Sequence, residues 1–258
     1  MGTSGAYGGS GSQSWGDAHN AVGSLPSTGT PTAAQVAATV AQIARAIQKQ
    51  FPSSAATPDY NPSALLGRRS AGAGAVTSGH SRSSGGGLSS RNSARGAATV
   101  WAGHAYLSGD QAGLDALGVG LHLHDMKDMS ETDRCRYILD AVLGAPGSLD
   151  EEILRRASLD ALKDLMRQPG TTIDESVAAF MSAYVYQTTL VELTSHKASM
   201  NLTPAQVLSH EKTLKQYIKS NVKFSGVTDS ARLTGSAFLK KVGEFRDKAL
   251  GFLRKVTS

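Results

Sequence analysis

The amino-acid sequence predicts an all-α fold, and three observations support it. Apolar residues recur at steps of three and four from about residue 91 onward, which is the spacing of one helix face. Capping residues and glycine or proline stops bound most of these stretches. The alternating apolar and polar pattern of a half-buried strand is absent from the sequence. We therefore expect a multi-helix domain over residues 91–258, preceded by a Gly/Ser-rich and largely disordered N-terminal region.

The longest predicted helix covers residues 172–200, a stretch without proline or glycine. Thr172 and Glu175 have the spacing of a capping box at its start. At about 1.5 Å per residue the helix would run roughly 40 Å, enough to cross a small domain. Leu190 and Leu193 add apolar surface beyond one stripe, so we expect neighbours on more than one side. The main stripe consists of Val177, Phe180, Met181, Tyr184, Thr188 and Val191.

Further helices are predicted on both sides of this central helix. Their starts are marked by N-cap residues, whose side chains accept hydrogen bonds from free backbone N–H groups. The predicted N-caps are Asp110, Ser130, Ser148 and Thr203. Glycine or proline follows the end of several of them. The predicted bounds are about 90–109, 110–118, 130–143, 148–168, 203–224 and 229–256.

The N-terminal half differs in composition from the rest of the chain. Of the 28 glycines, 18 precede Asp110, and residues 1–109 hold seven basic against two acidic side chains, which accounts for the whole formal charge of +5. Such a segment has few large apolar groups to offset the entropy lost on ordering. We predict a flexible tail over 1–30 with Trp15 as an isolated aromatic residue, an amphipathic helix over 31–51, and a Gly/Ser/Arg-rich linker over 52–90. The 31–51 helix either docks on the main domain or awaits a partner.

Cysteine usage and hydropathy exclude several classes of protein. Cys135 is the only cysteine, which excludes an intrachain disulfide framework and a cysteine metal cluster. It lies on the apolar face of its helix, so we expect a buried small side chain and not a nucleophile. The start of the chain lacks the pattern of a signal peptide. No apolar run approaches about 20 residues, so we expect a cytoplasmic protein without a membrane span.

Catalytic and metal-binding constellations do not stand out. His122 and His124 lie two residues apart, so on a helix they would point to different faces, and a polar loop is favoured over a metal site. Glu192 and His196 are one helical turn apart but lack a third ligand, which favours a solvated or hydrogen-bonded pair. We expect no catalytic residue, no metal and no cofactor of the chain's own.

The last predicted helix combines a heptad-like apolar seam with many basic side chains. The seam is a candidate docking surface for a partner, and a basic amphipathic helix also suits a membrane surface or nucleic acid. The pattern favours a simpler alternative, a packed helix with one solvated face. The candidate docking residues are Phe238, Val242, Phe245 and Phe252, and the basic residues are Lys240, Lys241, Arg246, Lys248, Arg254 and Lys255.

Arginines scattered through the linker and the next helix could contact phosphates without sequence preference. Solubilising charge is the commoner explanation for arginines in such a segment. The candidate nucleic-acid contacts are Arg68, Arg69, Arg82, Arg91 and Arg95.

Removal of Met1 would expose Gly2 as the N-terminal residue. A terminal amine has a pKa of about 8, against about 10.4 for lysine, so roughly a tenth of it is neutral and nucleophilic at pH 7. A flexible leash of about 30 residues would have a mean span of about 30 Å. Ala6 stands where the myristoylation pattern requires a hydroxyl group. By itself this composition favours an ordinary disordered terminus.

Six segments occur in a characteristic order along the chain. They are Met1-Gly2-Thr3-Ser4, Ser83–Leu107, SGDQAGLDALGV (Ser108–Val119), Gly147–Glu152, AYVYQTTLVEL (Ala183–Leu193) and Thr203–Gln206. In this order they resemble the QatB proteins, components of the bacterial Qat antiphage defence system. The resemblance covers the first few residues and about 83–224. Departures are the lack of a proline-rich stretch before Trp15 and the absence of family counterparts for the 31–51 helix and the last helix.

The resemblance implies a specific role for the N terminus. Qat operons encode an ATPase, a QueC-like enzyme and a TatD-like nuclease beside QatB. QueC-like enzymes activate a carboxylate with ATP and normally pass it to ammonia, but here the acceptor would be the Gly2 amine. Gly2 would then carry an amide-linked 7-deazaguanine group, with Thr3, Ser4 and Gly5 recognised by the QatC-type partner. The helical domain would serve as adaptor, and the chemistry and the ATP use would belong to the partner.

Overall fold

The computed structural model describes residues 15–26, 30–52, 60–66, 88–196, 203–223 and 235–255. These stretches contain helices and their connections without any strand, which confirms the predicted all-α class. The helices in chain order are α1 (Gly16–Gly23), α2 (Ala33–Gln50), α3 (Pro62–Leu66), α4 (Ser90–Ser108), α5 (Gln111–Asp115), α6 (Leu123–Met126), α7 (Glu131–Val142), α8 (Leu149–Arg167), α9 (Ile173–His196), α10 (Pro204–Asn221) and α11 (Gly235–Lys255).

The predicted caps at Asp110, Ser130, Ser148 and Thr172 form because they need only local geometry. The backbone N–H of Glu175 donates to Thr172 Oγ1 at 3.2 Å, and the backbone N–H of Thr172 donates to Glu175 Oε2 at 2.8 Å, which completes the predicted capping box of α9. At α8, Ser148 and Glu151 have the spacing of a capping box, but only half of the box forms. The Glu151 N–H donates to Ser148 Oγ, but Glu151 Oε2 accepts from the backbone N–H of Gly147.

Helix α9 has neighbours on several sides, as its apolar pattern predicted, since it packs against α8, α10, α4 and α11. Val191 is half-buried, and the rest of the predicted main stripe is buried. Residues 197–200, the end of the predicted helix, lie outside the described residues.

Helix α4 shares the central position that the sequence pattern assigned to α9. It packs against α7, α8, α9 and α11, and its small residues make this possible. A Cβ added at Gly96 would lie 2.1 Å from Cζ of Phe180, and one added at Gly103 would lie 2.8 Å from Cδ2 of Leu162. Neighbouring helices therefore occupy the space that larger side chains on α4 would need.

The prediction of a flexible tail over 1–30 is wrong for residues 15–26. Trp15 is fully buried, and Ala18 and Val22 of α1 are buried behind it against α2. The Thr39 hydroxyl of α2 also donates to the carbonyl oxygen of Ala21 at 3.3 Å. Trp15 has no apolar neighbours in the sequence, so composition predicted an isolated aromatic residue. In the structure it lies against α2.

Helix α2, predicted over 31–51, docks on the rest of the chain. It packs against α1, α10 and α11, so docking is the correct one of the two alternatives for this helix. The capping box between Thr32 and Gln35 starts it. Its buried apolar stripe consists of Val36, Val40, Ile43 and Ile47, with Phe51 at its end.

The predicted linker over 52–90 contains the short helix α3 (Pro62–Leu66). Leu65 and Leu66 are buried, and α3 packs against α4 and α11, so the linker prediction is wrong for this segment. Two adjacent leucines suffice to attach a single helical turn to an existing core. Among the helices described, none combines the length and the apolar composition needed to cross a membrane.

Candidate functional site

The predicted modification site Gly2 and the flanking Thr3, Ser4 and Gly5 lie outside the described residues. The first described residue is Trp15, whose indole Nε1 donates to Gln50 Oε1 at 2.6 Å. Residues 2–14 precede it, and a chain of this length spans at most about 45 Å when fully extended. Trp15 is thus the described residue nearest in sequence to the predicted modification site.

The C-terminal end of α2 also meets α11. Arg254 Nη1 donates to Gln48 Oε1 at 3.2 Å, and Arg246 Nη2 donates to the carbonyl oxygen of Phe51. Because Gln50 lies between Gln48 and Phe51, the Trp15 anchor and the C-terminal half of α11 share one end of α2. We take this end of the molecule as the candidate functional site.

Arg246 holds three segments together at this site. Its side chain is only 1% exposed, its Nε donates to the carbonyl oxygen of Leu88 at 2.7 Å, and its Nη1 lies 2.6 Å from Asp247 Oδ1. Burial lowers the pKa of Arg246, while the neighbouring carboxylate of Asp247 favours the charged form. Arg246 thus ties α11 to the end of α2 and to Leu88, two residues before α4, so the prediction that it belongs to a basic face for a membrane surface or nucleic acid is wrong.

Three of the four predicted docking residues belong to the protein's own core. Phe238 and Val242 are fully buried, Phe245 is buried, and the Phe238 ring lies 4.7 Å from the Trp101 ring, centroid to centroid. The prediction of a docking surface is therefore wrong for these three. Phe252 differs, since it is 61% exposed. The heptad-like spacing of these residues therefore reflects packing of α11 against the rest of the chain.

The predicted nucleic-acid contacts divide in the same way. Arg68, Arg69 and Arg82 lie outside the described residues, and Arg91 is exposed in the first turn of α4. Arg95 is engaged inside the protein, which argues against its predicted role. Its Nη2 donates to the carbonyl oxygen of Leu143 at 3.2 Å, and its Nη1 lies 3.7 Å from Glu151 Oε1.

Cys135 is fully buried, as its position in the sequence predicted. Burial raises the pKa of the thiol, which disfavours the reactive thiolate. His122 and His124 are exposed at α6, with Gln111 Nε2 3.3 Å from His122 Nδ1. The side chains of Glu192 and His196 lie outside the described part. Within that part, no group of three or more His, Cys, Asp or Glu residues is placed to hold a metal ion.

The sequence did not predict one polar pair, His104 and Ser176. His104 Nε2 lies 3.0 Å from Ser176 Oγ, and the Ser176 hydroxyl donates to the carbonyl oxygen of Thr172 at 3.0 Å. A Ser–His pair at this distance resembles a nucleophile and its base. Ser176, however, is only 3% exposed, so a substrate has no access to its hydroxyl. No sequence signal could have found the pair, because its members are 72 residues apart.

Two surface clefts carry charged side chains. A cavity of about 200 Å³ between α8, α9 and α10 is lined by side chains of both signs, and a wider one of about 590 Å³ lies beside α6. In the second, the Arg134 guanidinium lies 4.4 Å from the centroid of the Tyr106 ring. The charged residues of the first are Asp160, Lys163, Asp164, Arg167, Lys215 and Lys219.

Comparison with known proteins places this architecture in a family. The model of the family described as "Qat anti-phage system associated protein QatB" matches residues 84–237. The match contains α4 to α10 and the start of α11, whereas α1, α2 and α3 lie outside it. Neither the curated proteins nor the solved structures gave a match. Because the match extends over more than half of the chain, this protein belongs to the QatB family of the Qat anti-phage system.

Proposed function

We propose that this protein is a noncatalytic component of antiphage defence whose Gly2 amine accepts a 7-deazaguanine group from a QueC-like partner enzyme. The observation that carries the proposal is the family match, combined with a Met1-Gly2 start that leaves a small N-terminal residue. The helical domain is the body that the partner recognises. ATP is used by the partner and not by this chain.

The proposed reaction has two balanced steps. The partner first joins the carboxylate of a 7-deazaguanine acid to AMP and releases pyrophosphate from ATP. The neutral Gly2 amine then attacks the activated carbonyl carbon, an amide bond forms, AMP leaves, and the amine loses one proton. The terminal amine suits this role because its pKa of about 8 leaves more of it neutral at pH 7 than any exposed lysine.

The structure supports the proposal through the position of the anchor. Trp15 attaches the chain to the domain, and under this proposal residues 2–14 are the length of chain available between that anchor and the partner's active site. A tether of this length presents the amine at high local concentration to an enzyme bound on the same domain.

The test is the intact mass of the protein co-expressed with the QueC-like enzyme. We expect a chain that starts at Gly2 and has gained one deazaguanine acyl group, and we expect no gain with an inactive partner. Gly2→Val is the matched variant, because its side chain is small enough for Met1 removal yet crowds the amine. An unmodified mass in cells where the defence system is working would reject the proposal.

A second candidate function is binding of nucleic acid or of the system's ATPase or TatD-like nuclease. The exposed basic residues of α11 and the exposed Arg91 favour it. Binding to nucleic acid would weaken steeply with salt because phosphate contacts release counterions. A labelled DNA duplex and the two purified partner proteins distinguish these alternatives in one set of binding measurements.

A further inference from the structure

The wider of the two surface clefts, of about 590 Å³, lies where three helices meet. Its walls are the C-terminal end of α4, the short helix α6 with the residue that follows it, and the first turn of α7. We call it the α4–α6 cleft. Its volume falls in the range of roughly 300–1,000 Å³ that is typical of small-ligand sites. The side chains that line it are Tyr106, Leu107, Leu123, His124, Lys127 and Arg134.

Arg134 is held at the cleft by groups that carry no net charge. Its Nε donates to the carbonyl oxygen of Met126 at 3.3 Å, its Nη2 donates to that of Met129 at 2.8 Å, and its Cζ lies 4.4 Å from the centroid of the Tyr106 ring. The two hydrogen bonds use two of the five N–H groups of the guanidinium. They fix its orientation and leave N–H groups and a positive charge for a ligand.

The carboxylates nearest in sequence to the cleft do not line it. Four of them are engaged with other groups of the chain, and the fifth, Asp128, is exposed beside Lys127. Among the described residues the lining therefore holds two permanent cations and a histidine, and Asp128 can offset at most one charge. The four engaged carboxylates and their partners are Asp110 with the backbone N–H of Gly113, Asp125 with the Tyr137 hydroxyl, Glu131 with Arg167, and Asp133 with the Ser130 hydroxyl.

The end of α4 does not cancel this positive charge. The C-terminal end of a helix carries a partial negative charge of roughly half a unit on its unpaired carbonyl groups. At α4 the carbonyl oxygens of Ala105 and Tyr106 already accept hydrogen bonds, from the backbone N–H groups of Asp110 at 2.8 Å and of Gly109 at 3.1 Å. Two full cations outweigh what remains, so the cleft favours an anion.

The cleft also offers apolar surface. Tyr106, Leu107 and Leu123 are half-buried, so each leaves part of its side chain open to a ligand. Small-molecule sites typically combine such surface with a few polar groups that fix the orientation of the ligand. A phosphate suits the cationic side, because a guanidinium matches its oxygens bidentately, and a base or a sugar suits the apolar side.

The number of cations distinguishes between a small ligand and a polymer. Binding of nucleic acid depends on several cations that contact successive phosphates along the strand. The α4–α6 cleft instead gathers its cations at one point, next to apolar side chains. One phosphate joined to one base and sugar matches this arrangement.

We propose that the α4–α6 cleft is a binding site for a mononucleotide. The phosphate lies at His124, Lys127 and Arg134, and the base or the sugar lies against the apolar side. The proposal concerns binding alone and goes beyond the proposed function, since the reaction at Gly2 does not require it.

The test is isothermal titration calorimetry of the full chain at low salt with AMP, GMP, CMP and UMP. We expect at least one of them to bind. The matching nucleoside and inorganic phosphate should each bind about tenfold or more weakly than that nucleotide, because each fills only one side of the cleft.

Lys127→Gln/His124→Gln should weaken nucleotide binding about tenfold or more, because it removes a cation and a second polar group at exposed positions. Leu107→Ser tests the apolar side, and it should weaken nucleotide binding while leaving the affinity for inorganic phosphate unchanged. The matched control is Arg136→Gln, which removes an exposed cation of α7 that does not line the cleft. It should bind the nucleotide as the wild type does.

Three results would overturn the proposal. The first is no heat of binding with any of the four nucleotides at millimolar concentrations. The second is equal affinity of the wild type and of Lys127→Gln/His124→Gln, which would place the nucleotide elsewhere on the molecule. The third is a single-stranded oligonucleotide that displaces the nucleotide and binds about tenfold or more tightly, since the cleft would then serve nucleic acid.

Discussion

The indole Nε1 of Trp15 donates a hydrogen bond to Oε1 of Gln50 over 2.6 Å, and the ring is fully buried. These two residues join the start of α1 to the end of α2, 35 positions further along the chain. The pair therefore attaches α1 to α2 at the first residue that the structure describes.

Trp15→Ala should destabilise the protein by about 3–5 kcal/mol, the usual cost of removing a large buried aromatic side chain. Denaturant unfolding followed by circular dichroism measures this. Gln50→Ala is the control, because it removes the hydrogen bond but not the ring, and it should cost about 1 kcal/mol. A Trp15→Ala protein as stable as the wild type would show that α1 contributes nothing to the fold.

Gly96→Ala should destabilise the protein by about 1–3 kcal/mol, because the new methyl group would overlap the Phe180 ring. Gly251→Ala is the matched control in α11, where an added Cβ meets nothing within 4 Å. It should instead stabilise the protein by about 0.5–1 kcal/mol through helix propensity. Thermal unfolding of both variants checks the contrast, and a harmless Gly96→Ala would contradict the close packing of α4 and α9.

Arg246→Met should cost at least about 2 kcal/mol, because it leaves the carbonyl oxygens of Phe51 and Leu88 buried without their donor. Lys248→Met, an exposed neighbour on the same helix, should change the stability by less than about 0.5 kcal/mol. Chemical denaturation measures both. Equal effects would mean that the buried guanidinium does not hold α11 in place.

The pH dependence of stability should contain a contribution from His104. Burial lowers the pKa of His104, so between its folded and unfolded pKa values the unfolded chain binds more protons. This contribution is present above the usual histidine pKa of about 6.5 and is lost as the pH falls through the lower, folded value. Its slope cannot exceed about 1.4 kcal/mol per pH unit.

His104→Gln, which keeps a side chain able to hydrogen-bond Ser176, should remove this contribution. Unfolding free energies measured from about pH 7.5 to about pH 5 should fall less steeply for the variant than for the wild type. The His122→Gln variant, altered at an exposed histidine, serves as control and should follow the wild-type curve. Identical slopes for all three proteins would contradict the prediction.

The wrong predictions concern residues whose burial depends on distant parts of the chain. Phe238 and Phe252 lie on one periodic pattern, yet the first is fully buried and the second is 61% exposed. Arg246 and Lys248 look alike in a basic amphipathic helix, yet only Arg246 meets backbone carbonyl groups of two distant segments. Periodicity identifies the apolar face of a helix. It does not reveal which segment packs against that face or how much of the helix the segment contacts.

By itself the sequence determined the all-α class, the starts of α4, α8, α9 and α10, and the burial of Cys135. Caps such as Thr172 with Glu175, and the apolar stripe of α9, depend on interactions within a few residues, and neighbouring positions encode them directly. Only the tertiary structure decided that Trp15 belongs to the core, that α2 docks, and that Arg246 and Arg254 of α11 meet the end of α2. The physical reason is that burial and pairing depend on groups brought together from distant positions, as in the bond between Arg246 and Phe51, 195 residues apart.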